Sequence, residues 1–274
     1  MKLLFENWRE YLKSEILAEG GYAFRDAEGQ QLTTTIRMSE VGPTLQHFSE
    51  NFLKPAGIEN YYPIGSTGKK SLSGDLDIVI GIGDKDMRQF KTGLIAHLQA
   101  NIIAVNGQAK LVGSNIAVMY PIIGSEEDSF VQIDIMLSKK PEDAAWLMSG
   151  TGDNQIKGSY RNLLLAFIAK VDSRLGNPGE KHVIALPAGL QKKVWQDDKW
   201  ANIGEKITDP NTMLRMLGIE AKADQVETFE RLLDVLLKSN IYRPYLKDFP
   251  EYLESFRAPE EQKKQVIDYL LSRL

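Results

Sequence analysis

The stretch Asp75–Ile82, which reads Asp-Leu-Asp-Ile-Val-Ile-Gly-Ile, constrains the fold of this chain more than any other part of it. Its apolar and mostly β-branched residues are typical of a strand buried on both sides. On an extended strand Asp75 and Asp77 point to the same side, and two carboxylates so placed repel each other unless a cation lies between them. The stretch therefore predicts a metal site on a buried strand; the alternative is a strand entrance with solvated acids.

A glycine-serine pair precedes this strand. Gly65-Ser66 follows a short strand predicted at 60–64, and a glycine there lets backbone N–H groups approach a phosphate closely. The run from Gly65 to Ser71 also looks like a phosphate-binding P-loop. That motif needs four residues between its first glycine and the Gly-Lys pair, whereas this chain has only two, so we reject the P-loop interpretation.

A third acid lies in the strand predicted over Phe130–Leu137. Asp134 is the single acid of this hydrophobic run. Burying an isolated carboxylate costs free energy unless a metal or a hydrogen-bonding partner compensates. Asp134 is therefore a candidate third metal ligand, and the alternative is a structural aspartate hydrogen-bonded to backbone amides.

Together these residues resemble the polymerase β-like nucleotidyltransferase superfamily. Its hallmark is a hydrophobic residue, Gly-Ser, a spacer, and then Asp-hydrophobic-Asp-hydrophobic. This chain has Ile64–Ser66, a spacer of eight residues, and Asp75–Ile78. Ser73-Gly74 before the first aspartate is similar to the Ser-Gly-Asp of the family X DNA polymerases. The resemblance covers residues 58–140 and identifies no subfamily.

The resemblance implies a reaction and a cofactor. A nucleoside monophosphate would pass from a nucleoside triphosphate, with ATP expected, to a hydroxyl acceptor, and pyrophosphate would be released. Asp75, Asp77 and Asp134 would be the catalytic residues and would bind Mg²⁺ or Mn²⁺. The implied nucleotide-binding residues are Gly65, Ser66, Lys69, Lys70, Lys157, Tyr160 and Arg161. The alternatives are that the two loop lysines are merely solvated and that the last three residues cap a helix.

The acceptor is less constrained than the reaction. Residues 157–193 contain seven Lys or Arg and two acids, which fits either an RNA-binding surface or a solvated helix face. With a helical second domain, this bias favours the 3′ end of a tRNA-like RNA as acceptor. The net charge of −4 instead favours a small molecule or a protein side chain. A non-catalytic nucleotide-binding protein on the same fold is a further alternative, against which the retention of all three acids argues.

The composition limits the metal chemistry and the compartment. The chain has no cysteine and three histidines, which makes a zinc site improbable and leaves carboxylates as the metal ligands. No apolar run approaches the ~20 residues that span a bilayer. The opening residues are charged too early for a secretory signal, so we expect a cytoplasmic protein without a membrane partner.

The expected fold class is α+β, with an α/β-type nucleotidyltransferase core containing a mixed sheet, followed by a mainly helical C-terminal domain. The predicted boundaries are an amphipathic N-terminal helix over 1–21, a catalytic domain over 22–140, and a substrate- or nucleotide-binding domain over 141–274. Within the last, residues 181–186 and 191–195 are predicted as a hairpin. Trp146, Trp195 and Trp200 are predicted to be core residues.

Overall fold

A computed structural model describes residues 21–125, 129–152, 156–176, 178–185 and 189–274. The helix predicted at the N-terminus lies outside these residues, except for its last position. The described residues form a mixed α+β fold with a mixed sheet, so the α+β class is confirmed. They pack as two compact units, residues 21–145 with 150–152 and residues 146–149 with 156–274. We call these the N-terminal unit and the C-terminal unit.

The N-terminal unit is built on a mixed sheet. The strands of this unit are β1 (Ile36–Arg37), β2 (Tyr61–Ile64), β3 (Leu72–Ser73), β4 (Asp75–Gly81), β5 (Gln108–Val112), β6 (Asn115–Pro121) and β7 (Phe130–Ser138). The sheet has the order β2-β4-β7-β6-β5, in which β4 and β7 are parallel and the other neighbours are antiparallel. Strands β1 and β3 form a separate antiparallel pair that the sequence pattern does not predict.

Strand β4 separates the core of this unit from its acids. Leu76, Ile78 and Ile80 are fully buried and belong to the hydrophobic core. Since successive side chains of a strand alternate between its two faces, Asp75 and Asp77 lie on the opposite face. The helices that begin in this unit are α1 (Met38–Phe48), α2 (Met87–Asn101) and α3 (Pro141–Leu147). Helices α1 and α2 contribute side chains to the same core, which fixes the core face of β4.

The helix boundaries agree closely with the sequence pattern, with one correction. The apolar spacing of Leu45, Phe48 and Phe52 predicts a helix from Ser39 to about Lys54. Helix α1 continues to that point through a π-helical turn, Ser49–Leu53, and a short 3-10 segment, Lys54–Ala56. Asp84 stands just before the helical apolar spacing of Met87, Phe90 and Leu94, and the sequence predicts it as the cap of α2. The cap is Asp86 instead, whose side chain accepts a hydrogen bond of 2.9 Å from the backbone N–H of Gln89.

The C-terminal unit combines helices with a second sheet. Its elements are α4 (Gly158–Leu175), β8 (Glu180–Ala185), β9 (Gly189–Gln196), β10 (Lys199–Ile207), α5 (Pro210–Met216), α6 (Phe229–Lys238), α7 (Phe249–Glu254) and α8 (Glu260–Leu271). Asp209 caps α5 by accepting a hydrogen bond from the N–H of Thr212, as its sequence predicts. The predicted leucine stripe of α6 is buried at Leu232, Leu233 and Leu236.

Strands β8, β9 and β10 form an antiparallel three-stranded sheet. The hairpin of β8 and β9 is the predicted one, whereas β10 was not predicted. Strands β9 and β10 are joined at Asp197-Asp198, both of which have positive φ, the geometry of a tight hairpin turn. Trp195 corrects the expectation of core tryptophans, because 47% of its surface is exposed.

No helix in the described part of the chain is long and apolar enough to cross a membrane.

Candidate metal centre

The three acids identified in the sequence lie together on neighbouring strands. Strands β4 and β7 run parallel, with Asp77 directly opposite Asp134, and Asp75 lies two residues before Asp77 on the same face. One carboxylate oxygen from each residue lies within 4.8 Å of those from the other two. The parallel pairing therefore joins acids that are almost sixty residues apart into one group, as a shared metal site requires.

Burial governs the electrostatics of Asp134 in this group. Burial raises the pKa of Asp134 to about 6, although a hydrogen bond from Gln132 lowers it. The Nε2 of Gln132 donates to both carboxylate oxygens of Asp134, at 3.0 Å each. Gln132 is itself oriented because its Oε1 accepts a hydrogen bond of 2.8 Å from the N–H of Ala23. The Asp134 carboxylate is thus held in a fixed position, and a cation shared with Asp75 and Asp77 would favour its charged form.

The loop after β2 is packed directly against Asp77. Gly65 has φ +59°, and a Cβ at this position would lie 2.6 Å from Oδ2 of Asp77. Thr67, which is buried, donates a hydrogen bond to the backbone O of Asp77 at 3.1 Å and accepts one from its N–H at 2.7 Å. Only glycine permits the close approach of residue 65 to the Asp77 carboxylate. The Gly65-Ser66 turn is therefore held against the acids rather than projecting into solvent.

A second glycine fixes the same loop from the other side. The N–H of Gly150 donates to the backbone O of Gly65 at 2.7 Å, and a Cβ on Gly150 would lie 2.1 Å from that oxygen. Lys69 donates from Nζ to the backbone O of Gly150 at 3.0 Å. Gly150 is thus hydrogen-bonded to both Gly65 and Lys69, two residues of the same loop. The second bond fixes the position of the Lys69 ammonium.

The remaining predicted residues of this loop are partly accessible. Ser66 and Lys70 are half-buried, and Lys69 is exposed. The backbone O of Ser66 accepts a hydrogen bond from the N–H of Lys69, which closes a turn of the chain. The loop therefore carries two lysines and no carboxylate of its own between Gly65 and Lys70.

The predicted nucleotide contacts of the C-terminal unit are placed differently. Arg161 is fully buried, and its guanidinium donates to the backbone oxygens of Trp146, Leu147 and Glu227. It also lies over the Trp146 ring, 4.4 Å from the centroid. These contacts give Arg161 a structural role inside its own unit, and a nucleotide contact for it stays a prediction.

Its neighbours Tyr160 and Lys157 lie at the start of the same helix. Tyr160 is buried, and its hydroxyl has no hydrogen-bond partner among the described residues. Burial, followed by the charge of Glu260, raises the pKa of Tyr160 to about 12. Lys157 is half-buried at the cap position of α4, where its backbone O accepts from the N–H of Tyr160. A nucleotide contact for these two residues stays a prediction.

Sequence reasoning missed three residues that shape the site. Gln132 could have been found from its position two residues before Asp134, since both side chains then share a face. Gly150 had a weaker signal, a glycine within a polar segment. Thr67 had none, because its two hydrogen bonds to Asp77 depend on how β2 and β4 pair.

Within the described residues, Asp75, Asp77 and Asp134 are the one group of three or more carboxylate or imidazole side chains close enough to share an ion. Three carboxylates are a hard, anionic set of ligands, which suits Mg²⁺ or Mn²⁺ better than softer metals. The sequence matches no protein-family model and no curated protein.

Proposed function

We propose that this chain is a metal-dependent nucleotidyltransferase that transfers a nucleoside monophosphate from ATP or another nucleoside triphosphate to a hydroxyl group. The observation that carries the proposal is the group formed by Asp75, Asp77 and Asp134 next to the Gly65 turn. The order of these features along the chain is that of the polymerase β-like nucleotidyltransferases. Their placement on parallel strands of a mixed sheet is compatible with a nucleotidyltransferase core.

The residues present fit Mg²⁺ or Mn²⁺. Asp75, Asp77 and Asp134 would hold the metal, because each offers one oxygen to a common position. The fit is supported by the raised pKa of Asp134, since a buried acid beside two others needs positive charge to stay ionised. When bound, such ions would neutralise charge on the attacking and leaving oxygens of an in-line displacement.

The roles of Asp134 and Gln132 in the reaction follow from their positions. An acceptor hydroxyl oxygen forms a bond to the α-phosphorus while the bond from that phosphorus to the pyrophosphate oxygen breaks. A carboxylate oxygen of Asp134 takes the hydroxyl proton, because a carboxylate held beside the acceptor site can act as a general base. Gln132 keeps this carboxylate in position through its two hydrogen bonds.

The loop from Gly65 to Lys70 would bind the triphosphate. Backbone N–H groups of a tight glycine turn can bind phosphate oxygens, and Ser66 adds a hydroxyl. Lys69 and Lys70 supply positive charge on the same loop, which matches a triphosphate carrying several negative charges. The contacts of Gly150 with Gly65 hold this loop in place before any nucleotide arrives.

The favoured acceptor is the 3′ end of an RNA, and the alternative is a small molecule or a protein side chain. The excess of basic residues over 157–193 supports RNA, whereas the net charge of −4 supports the alternative. Both acceptors present a hydroxyl, so the same site would serve either.

A transfer assay tests the reaction and the acceptor together. The purified chain is incubated with each of the four α-labelled nucleoside triphosphates, Mg²⁺ or Mn²⁺, and total RNA. Label on RNA supports the favoured acceptor, and label on protein or on a small molecule supports the alternative. Asp75→Asn should abolish transfer, and Asp84→Asn is the matched control because Asp84 is an exposed acid shortly after the same strand. No incorporation with any triphosphate, or equal incorporation by Asp75→Asn, contradicts the proposal.

A further inference from the structure

One face of the three-stranded sheet in the C-terminal unit gathers three lysines and two tryptophans. Lys181 on β8 lies directly opposite Lys193 on β9, and Trp195 on β9 lies directly opposite Trp200 on β10. Lys193 and Trp195 are two residues apart and therefore share this face. Lys206 follows on β10 beyond an irregularity in the pairing, and its charge acts on Lys193. We call these five residues the lysine–tryptophan face.

The three lysines repel one another. Burial lowers the pKa of Lys193, which is 7% exposed, and the charge of Lys206 lowers it further. Burial and then the charge of Lys193 lower the pKa of Lys181 in the same way. None of the three forms an ion pair with a described residue. Like charges directly opposite in a sheet are destabilising, so an anion bound here would relieve an existing repulsion.

The other face of the same sheet has acids beside two of its basic residues. Lys192 forms an ion pair of 2.7 Å with Glu180, and His182 lies 2.7 Å from a carboxylate oxygen of Asp172 on α4. Leu190 on this face is fully buried. Acids are thus available to Lys192 and His182 on this face, whereas the three lysines of the lysine–tryptophan face form no ion pair with a described residue.

The tryptophans add a flat apolar surface beside these charges. Nζ of Lys181 lies 3.8 Å from the centroid of the Trp200 ring, a cation–π contact that holds both side chains. The rings of Trp195 and Trp200 meet at 71° with their centroids 5.4 Å apart. Trp195 nevertheless keeps 47% of its surface exposed. An exposed indole beside unpaired lysines presents a stacking surface and positive charge together.

We propose that the lysine–tryptophan face binds a single-stranded nucleic acid, with a base stacked on Trp195 and phosphates near Lys181, Lys193 and Lys206. Stacking on an aromatic ring requires an unpaired base, which a duplex does not offer, and the lysines match the repeated charge of the backbone. The acidic turn Asp197-Asp198 lies beyond the tryptophans. Because its carboxylates would repel phosphates, the phosphates are expected on the side of the lysines. As a binding site this face is independent of the transfer reaction; only its use to hold an acceptor strand rests on the proposed function.

Binding of labelled oligonucleotides tests the proposal without any chemistry. Fluorescence anisotropy is measured for the full chain with oligo(U), oligo(dT) and a matched duplex of about 12 nucleotides, a length that one such surface can occupy. EDTA is present and nucleoside triphosphates are absent, so no transfer can occur. The two single strands distinguish RNA from DNA as the bound form, and either supports the proposal.

Substitutions on the two faces give the matched comparison. The double variant Lys181→Gln/Lys206→Gln should weaken binding of the preferred single strand by about tenfold or more at low salt, and should reduce the slope of log K against log salt by about 1 to 2. Trp195→Leu should weaken it by about tenfold, and Trp195→Phe should restore most of that loss because a ring is retained. Lys192→Gln removes the same charge from the other face and should change binding by less than about twofold.

Three results would overturn the proposal. These are a duplex bound as tightly as the single strands, affinity unchanged by both the lysine and the Trp195→Leu variants, and a loss with Lys192→Gln as large as with Lys181→Gln/Lys206→Gln. Asp75→Asn should bind like the wild type. Failure of the transfer assay would leave these binding results standing, so the two proposals fail separately.

Discussion

The two units of this protein each bring like charges together across paired strands, but with opposite sign. In the N-terminal unit Asp77 lies opposite Asp134, and in the C-terminal unit Lys181 lies opposite Lys193. Burial shifts the pKa of Asp134 up and that of Lys193 down, the direction in each case that opposes the charge. Under the two proposals each pair would be stabilised by a ligand of the opposite sign, a metal ion at the acids and a polyanion at the lysines.

The two clusters differ in how firmly they are held. The acids are surrounded by fixed groups, since Gly65 and Thr67 pack against Asp77 and Gln132 is hydrogen-bonded to Asp134. The lysines are fixed less completely: Lys181 contacts the Trp200 ring and Lys193 is buried, but Lys206 is exposed, and none of the three forms an ion pair with a described residue. A reaction centre needs ligands at defined positions, whereas a surface that follows a strand of variable sequence does not. The difference supports catalysis at the first cluster and binding at the second.

The largest expected effect is the loss of metal response at the acids. Mn²⁺ at a hundred times its dissociation constant should stabilise the wild type against unfolding by about 2.7 kcal/mol. Asp77→Asn should lose this gain, and its transfer activity should fall on the order of 100-fold or more, because the metal contributes several kcal/mol to the transition state. Thermal unfolding with and without Mn²⁺ measures the first quantity. Lys193→Met, which alters the other cluster, should keep the full metal response; a parallel loss in both variants would mean that the clusters are not independent.

The second prediction concerns the contact between the Gly65 turn and the acids. Gly65→Ala places a Cβ 2.6 Å from Oδ2 of Asp77 and also strains a residue at φ +59°. We expect it to cost about 2–4 kcal/mol of unfolding free energy. Gly68→Ala is the matched control, because Gly68 has φ +69° but its Cβ would come no closer than 3.8 Å to Val41. It should cost only the backbone strain of about 1–2 kcal/mol. Chemical denaturation measures both, and equal losses would show that the approach to Asp77 is not tight.

The third prediction uses the raised pKa of Asp134. A carboxyl whose pKa is about 6 in the folded state, against an ordinary value of 3.8, binds its proton more tightly when folded. Its contribution to stability is therefore full below pH 4 and is lost as the pH rises through 6. Without metal, Asp134→Asn should become more stable than the wild type by up to about 3 kcal/mol between pH 4 and pH 7. Urea denaturation in EDTA across this range measures the difference; a difference that is constant with pH would contradict the assignment.

Local sequence patterns were sufficient for the strands that carry the acids. The apolar run after Asp77 and the single acid of Phe130–Leu137 each indicate a buried strand without reference to the rest of the chain. Their pairing could be expected only through the resemblance to a known superfamily. The contact of Gly150 with Gly65 had no local signal, because it depends on a segment that returns from eighty-five residues away.

The C-terminal unit was less predictable for a related reason. Tryptophan is predicted in the core by default, but the exposure of Trp195 depends on its pairing with Trp200 of β10, a strand whose residues are mostly exposed. Asp84 and Asp86 are equally good cap residues by composition, and only the position of the first helical turn decides between them. The basic bias of residues 157–193 was visible in the sequence, whereas its division between two faces of a sheet was not.

The smallest expected effect tests whether the lysines repel one another in the free protein. Lys193→Met keeps the aliphatic part of a buried side chain and removes its charge, so it should raise the free energy of unfolding by about 0.5–1 kcal/mol at low salt. Lys192→Met removes the ion pair with Glu180 and should lower that free energy slightly. Denaturation at low and high salt measures both variants. The gain of Lys193→Met should shrink at high salt, because added ions screen the remaining repulsion in the wild type. A loss of stability for Lys193→Met at low salt would mean that an anionic partner already compensates Lys193 in the folded chain, and the repulsion among the three lysines would then be contradicted.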